Sequence, residues 1–235
     1  MVELKQNAYA QSQSSAIDAG LREYMMKVYN YMTSGLAISG LVAWGFSKSP
    51  ALMGAIYGTA LQWVVMLAPL GFIFFLGARL QKMSLSAAQM TFWAFAAVMG
   101  MSLSYIFVVF TGVSIVRVFL ITCSTFAAMS IYGYTTKRDL TKLGGFLFMG
   151  LIGIIIASVV NIFVGSTALQ FAISVIGVLV FVGLTAYDTQ NIKNMYYGGD
   201  SEEIGSKKAL MGALKLYLDF INLFILLLQL FGQRR

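Results

Sequence analysis

Residues Ala213–Phe224 read ALKLYLDFINLF, near the end of a long apolar run. Lys215, Asp219 and Asn222 stand four and three residues apart, so on a helix they share one face, while Leu, Ile and Phe cover the others. An acid and an amide on one stripe of an apolar helix are costly to bury, so they require partners. The best partner lies upstream in Val182–Gln190, VGLTAYDTQ, where Asp188 closes another apolar run. The reading of the whole chain turns on these two aspartates.

Around them the chain is 59% hydrophobic and 11% charged over 235 residues, with a mean hydropathy of +0.79. Soluble domains carry about a quarter charged residues. The pattern is that of an all-α polytopic membrane protein. Seven apolar runs are each long enough, at about 20 residues, to cross a bilayer as helices. They fall near Val28–Phe46, Ala55–Leu76, Ala87–Phe110, Ile115–Tyr134, Leu143–Val164, Leu169–Thr189 and Ala209–Phe231. Pro69 lies inside the second run and predicts a kink there. The 23 glycines are read as helix-packing positions. Residues 1–27 are polar and mixed in charge, without a cleavable signal, and read as a cytoplasmic segment that is flexible or lies on the surface. The transmembrane domain is placed at 28–231, and 232–235 form a short basic carboxyl terminus.

Seven spans put the termini on opposite sides and allow the loop cations to be sorted. Lys5, Arg22, Lys27, Arg79, Lys82, Lys137, Arg138, Lys142, Lys193, Lys207 and Lys208 fall on the amino-terminal side. Lys48, Arg117, Arg234 and Arg235 fall on the other. The bias places the amino terminus in the cytoplasm and the carboxyl terminus outside. The net charge of +7 is scattered through short loops, which fits membrane orientation and not nucleic-acid binding. Histidine is absent and Cys123 is the single cysteine, which excludes imidazole catalysis, His-based zinc sites and internal disulfides. No enzyme nucleophile and no soluble cofactor site is recognisable.

Of nine acidic residues, only Asp188 and Asp219 fall within apolar runs. The sixth run has no helix breaker before Gly198-Gly199, which puts Asp188 about 15 Å from that turn. A last helix starting near Lys207-Lys208 puts Asp219 about 16 Å in. In an antiparallel hairpin the two carboxyls therefore reach similar depths. Two carboxylates in a low-dielectric site resist double ionisation, so one proton is shared and the pair can sense pH without histidine. Fully deprotonated, they offer oxygens to a hard cation such as Ca²⁺, with Asn222, Thr185, Thr189 or water completing the shell. Lys215 could pair with them or snorkel to the interface. Arg79, at the end of the second span, is a second candidate partner.

At these residues the sequence resembles the bacterial branch of the Bax inhibitor-1 (transmembrane Bax inhibitor motif) family. LTAYDTQNIKNMY around Asp188 and ALKLYLDFINLFILLLQLFG around Asp219 carry the resemblance, with weaker support from ARLQKMSLSAAQMTFWAF after the second span. It implies seven helices, the last one central and ringed by the other six. It also implies a Ca²⁺ leak under pH control, with the pair Asp188 and Asp219 as sensor and Arg79 as the gating cation. Links of the family to cell survival and membrane-protein quality control imply a different role, a non-conducting scaffold for a membrane-protein partner. A diaspartyl intramembrane protease would need Gly-x-Gly-Asp where this chain has LYLD, Leu216–Asp219. A retinal pump would need its lysine one turn after an aspartate, whereas Lys215 precedes Asp219. The expectation is a pH-sensitive Ca²⁺ leak, with Ca²⁺ and protons as the passing ions and no bound cofactor.

Overall fold

A computed structural model describes the backbone from Val2 to Arg235 and the side chains from Ala19 onward. Among the described residues it is all helix, with no strand beyond an isolated bridge between Phe110 and Arg234. In chain order the helices are α1 (Val2–Ser47), α2 (Pro50–Tyr57), α3 (Leu61–Arg79), α4 (Leu85–Leu103), α5 (Ile106–Val109), α6 (Gly112–Thr135), α7 (Thr141–Val164), α8 (Thr167–Asn194) and α9 (Glu202–Phe231).

Polar residues start these helices where the sequence changes character. Ser49, Ser84, Thr111, Ser166 and Ser201 each accept a backbone N–H at a helix start. At α7 the role passes to Asp139, whose carboxylate accepts from the Thr141 hydroxyl at 2.6 Å and the Thr141 amide at 2.9 Å. Those bonds favour the ionised form and hold the Asp139 carboxyl below the usual range. The break at Thr111–Ser114 is real, because Phe110 is extended and Thr111 caps α6.

Six helical segments are long and apolar enough to span a membrane: Leu61–Lys82, Leu85–Val109, Gly112–Thr135, Thr141–Val164, Thr167–Asn194 and Glu202–Phe231. The first expected span, Val28–Phe46, forms the latter part of α1 and is not one of the six. Tyr29, Asn30, Tyr31, Thr33 and Ser34 dilute its apolar content. The second expected span is also cut differently. Pro50, at the first turn of α2, begins a separate short helix, and α3 starts only at Leu61. Of the amino-terminal segment, Ala19–Lys27 is a continuous part of α1, with Tyr24 and Met25 buried. The rest of the expectation for 1–27 lies outside the residues with described side chains.

Burial sorts the bundle into layers. In α9, 72% of the most apolar window is buried, against 11% in α7 and 17% in α3. α9 packs directly on α1, α4, α6 and α8, while α3 lies against α4 and α7 against α8. The last helix is thus central, with its extensive contacts made to four helices, and the two least buried spans form an outer layer. Close approach depends on glycine at particular crossings. A side chain at Gly133 of α6 would collide with the Ala186 backbone of α8, and one at Gly100 of α4 with the Ser39 backbone of α1.

Candidate functional site

The site is built on the α8–α9 hairpin, whose antiparallel register is read from side-chain contacts. Ser174 donates to Gln229 at 3.0 Å, Gly177 lies opposite Leu226, Ile192 lies over Gly212, and Lys208 donates to the Met195 carbonyl at 3.3 Å. This register brings Asp188 beside Asp219, close enough for the two carboxyls to interact directly. The helix ends are not those expected. α8 stops at Asn194, six residues beyond Asp188, and α9 starts at Glu202, seventeen before Asp219. The depths from the helix ends are about 9 and 26 Å instead of equal. The carboxyls still meet because the first turns of α9 run past the end of α8, where Lys208 pairs with Asp200 at 2.5 Å.

Asp219 is 5% exposed. Its Oδ2 is buried and, among the described residues, meets no N–H or O–H donor. A buried acceptor without a donor is costly, and a proton held between the two carboxyls would supply the missing partner. Asp188 is more open, at 16% side-chain exposure, and Lys215 Nζ lies 3.8 Å from its Oδ1. Lys215 rises from α9 one turn before Asp219 and so reaches across the hairpin. The three groups form one cluster, two carboxyls and an ammonium, at the edge of the apolar core.

The other residues expected at the site are placed elsewhere or otherwise occupied. Arg79 ends α3 on the exposed surface, makes no ion pair among the described residues, and belongs to a helix that packs on α4. The loose local match at ARLQK gave its side chain no defined direction. Thr185 donates its hydroxyl to the Phe181 carbonyl at 2.8 Å, and Thr189 to the Thr185 carbonyl at 2.7 Å. The Asn222 amide donates to the Leu218 carbonyl at 2.8 Å. All three bond to their own helix, and Thr189 also meets Ser130 of α6 at 2.9 Å. Among the described residues, no third Asp, Glu or Cys joins the pair to form a ready-made metal cluster. A cation held there would draw on water and backbone carbonyls as well as the two carboxylates.

Two hydroxyl links escaped the sequence reading. Ser39 of α1 donates to the Ala96 carbonyl of α4 at 2.7 Å and lies 2.6 Å from the Tyr217 hydroxyl of α9. Tyr29, Ser130 and Thr189 form a chain at 2.6 and 2.9 Å that joins α1 to α6 and α8. Small hydroxyls in apolar runs are common, and their spacing carries no signal between helices distant in sequence.

The fold and this cluster define a polytopic helical membrane protein with paired carboxyls beside its central helix. The chain belongs to the Bax inhibitor-1 family, whose sequence profile, described as "Inhibitor of apoptosis-promoting Bax1", matches residues 21–235. It is 46% identical to an uncharacterised protein of Rickettsia prowazekii over 100% of both chains. It is 47% identical to the inner membrane protein YbhL of Escherichia coli K12, covering 92% of this chain and 94% of that one. An uncharacterised protein of Borreliella burgdorferi is 45% identical, with 91% and 93% covered.

Proposed function

We propose that this protein is a pH-sensitive Ca²⁺ leak of the bacterial inner membrane, gated by the Asp188–Asp219 pair. In this reading α1 supplies a seventh span, with the amino terminus in the cytoplasm and the carboxyl terminus outside. The observation that carries it is the pair of neighbouring carboxyls at the edge of an apolar core, with Lys215 Nζ 3.8 Å from Asp188. With one shared proton the pair carries a single negative charge, matched by the lysine. Loss of that proton leaves two negative charges against one positive, and the surplus favours a divalent cation. Proton and Ca²⁺ compete for the same oxygens, so the leak follows pH. The tether in this arrangement is Lys215, and Arg79 would take that role only in a state where α3 has moved.

The test is Ca²⁺ entry into dye-loaded liposomes holding the purified protein, over a range of pH. Wild type passes Ca²⁺ with a marked pH dependence, and Asp188→Asn/Asp219→Asn loses that dependence. Folded wild-type protein that passes no more Ca²⁺ than empty liposomes at any pH would refute the channel. The family assignment would then be better served by a non-conducting scaffold, and the search would turn to a membrane partner.

A further inference from the structure

A cleft of about 1080 Å³ runs between α1 and α6, floored by Phe220 of α9. Both helices pack on α9 but make no extensive contact with each other. The rim is open to the exterior, with Met26 51% and Ile131 64% exposed. Along α1 the lining extends from Arg22 to Leu41, about 28 Å on a helix. One lipid, as half of a bilayer of about 40–45 Å, needs less than that length.

The cleft is chemically graded. At one end stand Arg22, the Tyr29–Ser130 hydroxyl pair and Tyr134. Outside the lining, Lys193 of α8 holds Tyr134 in place, donating to its carbonyl at 2.8 Å with the ammonium 5.1 Å from the ring centre. Glu23, adjacent in sequence to Arg22, is turned to Lys27 at 3.9 Å. The other end, toward Leu36, Ala37 and Leu41, is apolar. We infer that this cleft is a binding site for one anionic phospholipid, with its headgroup at Arg22 and its acyl chains between α1 and α6.

The size and grading select this occupant. A spanning helix about 30 Å long and 10 Å wide needs well over about 2,000 Å³, so it does not fit inside. A basic, hydroxyl-bearing mouth on an apolar slot between helices matches a charged headgroup on its chains. The basic mouth also lies on the side where the loop cations gather, where anionic headgroups are held. The assignment stands apart from ion passage and is tested by binding alone.

The experiment is native mass spectrometry of the purified full-length protein in mild detergent, with dioleoyl phosphatidylglycerol or dioleoyl phosphatidylcholine added. Wild type retains one phosphatidylglycerol, about fivefold better than phosphatidylcholine, the effect of one nearby cation. Arg22→Gln loses the preference while still retaining lipid. Ala37→Trp/Ala127→Trp fills the slot from two exposed lining positions and retains neither lipid, with its melting temperature unchanged. Equal retention by the filled variant, an undiminished preference in Arg22→Gln, or a dimer that carries no lipid would each overturn the assignment.

Discussion

Lys215 stands one turn from Asp219 on α9 yet reaches Asp188 on α8, so one side chain holds the charge balance of the pair. Replacing it with methionine keeps most of the packing of its stem and removes the positive charge that, among the described residues, pairs with the cluster. The protonated pair is then favoured, and the pH response of the leak moves toward higher pH, by about one unit or more. Arg79→Ala, at an exposed position outside the cluster, leaves the midpoint within about half a unit, the size of a weak screened interaction. Liposome flux measured side by side for the two variants separates the cations. A structural counterpart is Tyr217, fully buried with its hydroxyl 2.6 Å from that of Ser39. Tyr217→Phe removes a bond that ties α9 to α1 and costs about 1 kcal/mol, read as a lower melting temperature in detergent. The aspartates were legible because two acids in apolar runs have no ordinary explanation. Lys215 was ambiguous for the opposite reason, since a lysine near a helix end can snorkel as easily as pair. The bonds of the Thr185 and Thr189 hydroxyls to their own backbone leave no mark in a sequence.

At the scale of elements, two adjacent glycines on α7 distinguish packing from tolerance. A methyl group at Gly144 would run into the ring of Tyr187 on α8, the neighbour of Asp188, whereas one at Gly145 meets nothing within 4 Å. Gly144→Ala forces α7 away from α8 or turns the Tyr187 ring, at a cost of about 1–3 kcal/mol. Gly145→Ala gains up to about 1 kcal/mol from helix propensity. Opposite shifts in melting temperature are the expected result, and equal shifts would show that α7 does not seat on Tyr187. Sequence alone read both as packing glycines, because helix rotation relative to a neighbour is decided by the neighbour. The α8–α9 turn illustrates the same limit. Gly198-Gly199 marked the loop correctly, but helix ends depend on capping by Ser201 and on Lys208 closing against Met195 and Asp200. The pairing of Asp188 with Asp219 survived that error, since one register of an antiparallel hairpin fixes all its contacts together.

For the whole molecule the layering follows from composition. The most apolar span, α7, is the least buried, and the last helix, which carries the aspartate, is the most buried. A membrane has no hydrophobic drive to bury apolar helices against one another, so polar and small residues choose the centre. The number of crossings follows less directly. α1 is diluted by Tyr29, Asn30 and Thr33, yet its Val28, Met32, Ser39 and Ala43 are buried, and it packs on both α4 and α9. A helix that joins the central one along this length is the candidate for the seventh span in the proposed topology. The bridge from Phe110 to Arg234 holds the carboxyl tail beside the α5–α6 junction, with Thr111 donating to the Gln233 carbonyl at 3.0 Å. Both belong to the side with few cations. Seven crossings therefore place Ser201 inside and Arg235 outside, whereas six leave the two termini on one side. The parity is measured with single cysteines in a Cys123→Ser background, labelled in intact cells by a membrane-impermeant maleimide. Arg235→Cys reacts in whole cells and Ser201→Cys reacts only after permeabilisation. If a cysteine introduced at the amino terminus is labelled in whole cells together with Arg235→Cys, α1 does not cross, and the inward placement of the basic cleft falls with it.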